Sequence, residues 1–326
     1  MKPYSAVIVN YNCARLLEEC IRSVVEQTEK PLEIIIVDSA SKDNSSSLLK
    51  EHFSGLNLLL LSENKGFTAA ANAGLARCSG EYVLLLNSDV ILDRLYVEQI
   101  MNDASFESQQ SGIFTGKLLK LNNESIIDST GQFLSRSLKP KERGYREKDE
   151  NRYLAGPVFT ACGAAGLYSK RMLEDLKEED KVFDESLFMY YEDLDLGMRA
   201  NLLGWKAYFV PGAVAKHERG GSVNKEKRTL SRRYAFPGKP LNLRRTLVRN
   251  RYLVLLKDFP LQLLLVYFPV LFVFELAFLL YLLFFDIFAA YGIIEAFKGS
   301  GSALAKRRLL MKRKRISGRE LFKWIS

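Results

Sequence analysis

The side chains that could do chemistry in this 326-residue chain fall at the ends of apolar runs. Asn10 and Asn12 follow the first run, Asp38 the second, Asn64, Lys65 and Gly66 the third, and Asn87 and Asp89 the fourth. Carboxylates, amides and a close-packing glycine suit a polar ligand better than an apolar one. Further on, Glu192 and Asp193 precede a run with helical spacing, where the positive end of the helix dipole favours ionised carboxylates. The two histidines are His52 and His217, and the four cysteines form no CxxC pair and no zinc spacing, which reads as core thiols in a reducing compartment. Read locally, these residues have plainer roles. Asp43 caps a helix, Asp89 caps a turn, the acids at 192, 193 and 195 are capping charges, and Asp195 pairs with Arg199 on a helix surface.

The elements that must position them follow a parallel α/β rhythm. Strands are expected over residues 5–10, 32–38, 56–62 and 81–89. Between them, Leu16, Leu17, Cys20, Ile21, Val24 and Val25 recur at helical spacing after an Asn12 cap, a short helix follows Asp43 or Asn44, and an Ala-rich helix covers 67–77. In open parallel sheets the carboxyl ends of the strands form the ligand crevice, so the first ninety residues predict a mononucleotide-type site. There is no GxGxxG after the first strand and no GxxxxGK[ST], which removes dinucleotide and P-loop phosphate cradles. The charged stretch over 139–152 reads as a solvated surface loop.

The runs VIVNYN, VDSASKDNS, NKGFTAAANAGL, LLLNSDV, FDESLFMYYEDLDLGMRANLLGW and HERGGS resemble, in order and spacing, the inverting nucleotide-sugar glycosyltransferases of family 2. The likeness is to their rhamnosyltransferase-like members and covers about residues 4–255. The resemblance implies a GT-A fold: an α/β nucleotide-sugar-binding sheet with helices on both faces. It implies that Asp89 stands at the family's metal-binding acid, although Asn87 replaces the first acid of that motif. It implies that His217 joins Asp89 on Mn2+ or Mg2+, and that Asp193 is the base deprotonating the acceptor hydroxyl, with Glu192 orienting it. Asp38 would accept from a nucleobase, Asn10 and Asn12 would frame base and ribose, and Lys65, Gly66 and Asn72 would lie near ribose and phosphate. The donor would be a nucleotide-diphosphate sugar, dTDP-L-rhamnose or a UDP-sugar, and the acceptor a lipid-linked or polysaccharide chain of the cell envelope.

Ten Lys/Arg against Glu320 between Lys298 and Ser326 account for the whole net charge of +9. The stretch before them, Phe259 to Ile294, carries only Glu275 and Asp286 and is long enough to engage a bilayer, with a break expected near Pro269. The expected division is a catalytic domain over 1–245, split near 92/93, then membrane-associated helices over 246–297 and a basic cytoplasmic tail over 298–326. Basic residues on both flanks favour a helical hairpin or interfacial helices on the cytoplasmic face, held by anionic lipids. An interface in a homo-oligomer is the alternative use of that apolar surface. Competing functions are a nucleotidyltransferase, which leaves Glu192, Asp193 and His217 without a role, and a nucleic-acid-binding protein using the tail. A neutral body and an apolar tether argue against nucleic acid as a partner.

Overall fold

The computed structural model describes residues 2–219 and 239–326. In chain order the elements are β1 (Tyr4–Asn10), α1 (Ala14–Val25), β2 (Glu33–Asp38), α2 (Ser45–His52), β3 (Asn57–Leu60), α3 (Gly66–Leu75), β4 (Tyr82–Asn87), β5 (Val90–Leu92) and α4 (Tyr96–Met101). Then come β6 (Ser111–Lys120), β7 (Asn123–Ser129), β8 (Gln132–Leu134), β9 (Pro140–Glu142), β10 (Gly156–Val158), β11 (Ala165–Ser169), α5 (Lys170–Leu176), α6 (Glu192–Leu202) and β12 (Lys206–His217). The remaining helices are α7 (Leu241–Asp258), α8 (Leu261–Val266), α9 (Phe268–Phe285) and α10 (Ile287–Arg313), with a 3₁₀ helix over Gly318–Trp324.

One sheet runs in the order β10-β12-β6-β11-β4-β1-β2-β3, with β5 joined to β12 and β7 to β6. β3, β2, β1 and β4 are mutually parallel, so their polar carboxyl ends come out on one edge. Alternation along β1 sends Ala6 and Ile8 to one core with Leu17, Ile21 and Leu49 of α1 and α2, and Val7 and Val9 to a second core with Ala70 and Ala71 of α3. Both faces are covered, as near-continuous apolar strands require. Cys20, Cys78 and Cys162 are buried and Cys13 half-buried, all as free thiols.

The carboxyl half departs from its expected division. The 245/246 boundary falls inside α7 and the 297/298 boundary inside α10. The helices α7, α9 and α10 form a layer. Arg245 of α7 meets Glu295 of α10 (2.5 Å), while Arg307 further along α10 donates to the carbonyls of Leu256 (2.9 Å) and Phe259 (2.7 Å), so the two helices run parallel. α9 returns between their ends, with Glu275 against Arg251 and Asp286 accepting from Arg244 at 2.5 Å. This layer packs on α6: Leu194, Met198 and Leu202 share a core with Leu253, Val254, Leu310, Leu321 and Trp324. The basic segment is therefore not a free tail. Arg315 and Arg313 pair with Asp175, Lys306 with Asp184 (2.7 Å), and Trp324 donates to Asn201 Oδ1 at 2.9 Å. The break in the apolar stretch comes at Tyr267, with Pro269 in the first turn of α9 where its missing N–H costs nothing.

Candidate active site

Strand register builds the first half of the site. Asn10 lies opposite Asp38, and Val9 opposite Asn87, the last residue of β4. Asp38 is buried, and four donors fill its oxygens: Asn10 Nδ2 (2.6 Å), Ser41 Oγ (2.6 Å), Ser41 N (3.1 Å) and Ser46 Oγ (3.1 Å). A nucleobase N–H would have to replace one of these. Asn12 is in the left-handed region (φ 52°) and accepts from Lys42 N at 2.6 Å, so it joins the loops after β1 and β2. It is not the cap of α1. That role goes to Asp43, which accepts from Ala14 N (2.9 Å) and Ser45 N (3.0 Å), stapling the starts of α1 and α2.

The NKGF segment meets partners within the chain. Lys65 is exposed and pairs with Glu63 at 2.9 Å. Gly66 has φ +89°, and a Cβ there would lie 2.3 Å from the carbonyl oxygen of Phe188. The glycine admits another stretch of this chain at that point. Asn72 is likewise consumed internally: its amide donates to Phe183 O (2.9 Å) and Glu185 Oε1 (3.1 Å) and accepts from Phe183 N (2.9 Å). It anchors the segment before Glu192 and Asp193.

The second half converges from four segments. β12 ends at His217, pairing with Val90 of β5, which brings the ring beside Asp89: Nε2 lies 3.4 Å from Asp89 Oδ1. The other ring nitrogen, Nδ1, lies 2.8 Å from Asp128 Oδ2 at the end of β7. Burial alone would lower the His217 pKa, but the two carboxylates outweigh it and push it up to about 9. Asp128 is 0 % exposed; burial raises its pKa, yet the bond to His217 and the Arg219 guanidinium hold it below the usual carboxylate range. Arg219 Nε reaches Asp128 Oδ1 at 2.6 Å and Nη2 lies 3.5 Å from Glu142 Oε1. Glu142 in turn accepts from Gln132 Nε2 at 3.0 Å, and the same amide donates to Asp193 Oδ2 at 2.5 Å. An unbroken polar chain thus runs Asp89, His217, Asp128, Arg219, Glu142, Gln132, Asp193.

Glu192 and Asp193 open α6 as expected, but their surroundings differ. Asp193 accepts from Gln132, from Leu194 N (2.8 Å) and from Gly163 N (3.4 Å). Glu192 Oε2 is buried without a partner among the described residues. Burial raises both carboxyls, Glu192 to about 8 with the neighbouring Asp193 charge adding to the shift. The pair therefore holds a proton more readily than free carboxyls do, and the three donors on Asp193 favour keeping the charge there and the proton on Glu192. Asp195 and Arg199 do pair, but in the core: both are almost fully buried, and Asp195 also meets Lys257 of α7.

Asp89 and His217 bring a carboxylate oxygen and an imidazole nitrogen 3.4 Å apart, and Asp128 orients the ring through its other nitrogen, so the pair could hold a cation. The donor set fits Mn2+ or Mg2+ with further ligands from a diphosphate and water. Among the described residues no group of three His, Cys, Asp or Glu could close a metal cage without them. Asn87 contributes its backbone, donating to Ala164 O at 2.9 Å. Gly220 to Ser222 of the HERGGS run lie outside the described residues.

Gln132, Asp128, Glu142 and Arg219 carry no role in the sequence reading. The 139–152 stretch, expected as a solvated loop, instead contains β9, whose pairing with β8 puts Glu142 beside Gln132. The polar run DSTGQ after an apolar pair was the available signal for Asp128 and Gln132. Only the fold reveals their partners, 89 and 61 residues away.

A mixed sheet with a polar carboxyl edge, an acid-histidine pair and a carboxylate at a helix start is the framework of a GT-A glycosyltransferase. Residues 5–177 match the family model Glycosyl transferase family 2, and the chain belongs to that family. Among curated relatives it is 32% identical to glycosyltransferase GlyA of Streptococcus pneumoniae over 53% of this chain and 25% of that protein, so it spans about a quarter of GlyA's length. It is 24% identical to the N-acetylglucosaminyl-diphospho-decaprenol L-rhamnosyltransferase of Mycobacterium tuberculosis over 68% of this chain and 77% of that one. It is 29% identical to the amylovoran biosynthesis glycosyltransferase AmsB of Erwinia amylovora, over 68% and 72%. Among solved structures, GalNAc-T7 with UDP, GalNAc and Mn2+ shares the fold at a TM-score of 0.59 and 15% identity, covering 78% of this chain and 48% of that one. TarS residues 1–349 of S. aureus gives 0.55 at 18% identity, over 95% and 86%.

Proposed function

We propose that this glycosyltransferase moves a sugar, with inversion, from a nucleotide-diphosphate donor to an acceptor hydroxyl, and that Asp193 is the base. The observation behind the reading is the polar chain linking Asp89 and His217 to Asp193, which supports a diphosphate-side pair and a proton acceptor serving one site. The acceptor oxygen attacks the anomeric carbon and gives its proton to the Asp193 carboxylate. The anomeric C–O bond breaks, and the nucleotide diphosphate leaves with the electron pair. Glu192, protonated, adds no competing negative charge and can donate to an acceptor oxygen. Asp89 and His217 would hold a divalent cation, which when bound neutralises charge growing on the diphosphate.

The relatives suggest L-rhamnose as the sugar and a lipid-linked or polysaccharide acceptor in cell-surface glycan synthesis. The apolar surface of the helical layer supports a membrane-side acceptor. α9 is the one described helix long and apolar enough to cross a bilayer, at about 27 Å. Its Glu275 is tied to Arg251 and Tyr252 on α7, and one flank packs on α7 and α10. These ties favour α9 lying in the interfacial plane, with Phe272, Leu276, Phe284, Phe288 and Phe297 in the acyl boundary and the exposed Arg308, Lys312 and Arg319 toward anionic headgroups. A nucleic-acid role for the basic segment loses ground, since Lys306, Arg307, Arg313 and Arg315 are engaged within the chain.

The test is a screen of dTDP-L-rhamnose and UDP-sugars for nucleotide release with and without Mn2+, in detergent and on vesicles with anionic lipid. Asp193→Asn is expected to abolish transfer to an acceptor while leaving nucleotide binding within a fewfold. Undiminished transfer by that variant removes the base assignment.

A further inference from the structure

Glu192 and Asp193 are delivered by residues 187–191, and that segment is held in a conformation its residue types disfavour. Phe188 (φ 63°, ψ −65°), Tyr190 (φ 68°) and Tyr191 (φ 71°) all lie in the left-handed region, where a bulky L-residue is strained. Such a backbone persists only when its surroundings over-determine it. Here it is gripped from two sides.

On the sheet side, Phe188 O accepts from Thr68 N (3.1 Å) and Thr68 Oγ1 (3.3 Å), at the start of α3. On the other side stands Asn250, fully buried in the middle of α7. Its single amide nitrogen lies 2.7 Å from Leu187 O, 2.9 Å from Met189 O and 2.8 Å from Tyr190 O, so two hydrogens serve three carbonyls of one strap. Arg249 Nε, donating to Asn250 Oδ1 at 3.0 Å, fixes which way the amide faces. Tyr191 O then accepts from Asp195 N at 2.9 Å, so the strap passes directly into the first turn of α6.

We infer that Asn250 is a positioning residue for the catalytic acids: its amide locks the 187–191 strap and so fixes where Asp193 stands. The helical layer that carries the apolar surface is thereby a working part of the active site. The inference rests on the proposed role of Asp193, and it acts through backbone carbonyls without touching substrate.

The experiment compares Asn250→Leu, close in size but without donors, with the unaltered full-length protein. Hydrogen exchange is followed by mass spectrometry with UDP and Mn2+ present, and steady-state kinetics with the donor found by the screen. Exchange over 187–195 is expected to accelerate at least tenfold while β1 and β4 stay unchanged. The turnover number should fall ten- to a hundredfold, because a base displaced by about 1 Å loses on that order, with donor KM within twofold. Asn250→Ser keeps one donor and should fall between the two; it also serves if the Leu variant does not fold. Unchanged exchange over 187–195 overturns the inference. So does faster exchange spread evenly through the strands, or local loosening without loss of turnover. If the unaltered protein turns over no nucleotide sugar, the functional reading fails and the positioning role with it, while exchange still decides whether the amide clamps the strap.

Discussion

Glu192→Gln is expected to stabilise the protein, and to do so only as pH rises. In the folded chain the Glu192 pKa is raised from 4.5 to about 8, because its carboxyl is enclosed and Oε2 has no partner among the described residues. In the unfolded chain it ionises at its ordinary value. Below that value both states carry the proton and nothing is lost. Between about 4.5 and 8 the unfolded chain releases the proton while the fold retains it, so stability drains away as pH increases. Each unit is worth about 1.4 kcal/mol, which sets an upper bound of about 5 kcal/mol. Sharing of the shift with Asp193 reduces the expected figure to about 2–3 kcal/mol. A glutamine has the same shape and no proton to release. At roughly 1.5 °C per kcal/mol for a chain of this size, the variant should melt about 3–4 °C above the wild type at pH 8 and close to it at pH 5. Calorimetric melts of both proteins from pH 5 to pH 9 measure the difference directly. A gap that stays constant with pH, or closes as pH rises, would falsify the claim that Glu192 holds a proton in the fold.

Three other perturbations address separate parts of the structure. Gly66→Ala places a methyl group against the Phe188 carbonyl at a positive φ; we expect it to cost about 2 kcal/mol or more and to slow transfer at least tenfold, checked by melts and initial rates. Lys257→Met leaves Asp184 and Asp195 facing one another in the core, and denaturant titration should show a loss of about 3–5 kcal/mol. Asp128→Asn frees the His217 ring and weakens the Arg219 tie; free-Mn2+ titration by electron paramagnetic resonance in the presence of UDP should show affinity lowered about 10- to 100-fold, and an unchanged titration would remove Asp128 as the orienting group.

What could be read in the chain before any coordinates was what local pattern dictates. The four leading strands, the helix opened by Glu192 and the polar ends at Asn10, Asp38 and Asp89 are all written in apolar periodicity and its interruptions. The meeting of Asp89 with His217 was reached only through resemblance, since nothing local marks residues 128 apart as neighbours. The internal partners of Gly66 and Asn72, the Phe188 carbonyl and the 182–185 segment, were not legible, because a glycine or an amide accommodates a ligand and another stretch of chain alike. Gln132 and Glu142 stayed hidden because a short charged β-pair looks like a solvated loop until its partner strand is known. The basic segment misled for a related reason, because charge in sequence does not tell whether its counter-ions are lipids or Asp175 and Asp184.

The apolar flank of α6 is closed by residues made long after it. Ile325 bridges to Leu134, Ser326 N donates to Leu134 O at 2.9 Å, and Trp324 seals Asn201. Leu253 and Val254 can cover part of that flank about 50 residues after it is made, but at ribosomal speeds roughly 120 residues of further synthesis, on the order of ten seconds, pass before Trp324 and Ile325 complete the cover. A nascent polypeptide in that interval presents greasy side chains beside an unfinished catalytic cleft, so maturation of the enzyme and shielding of its stickiest surface become one event.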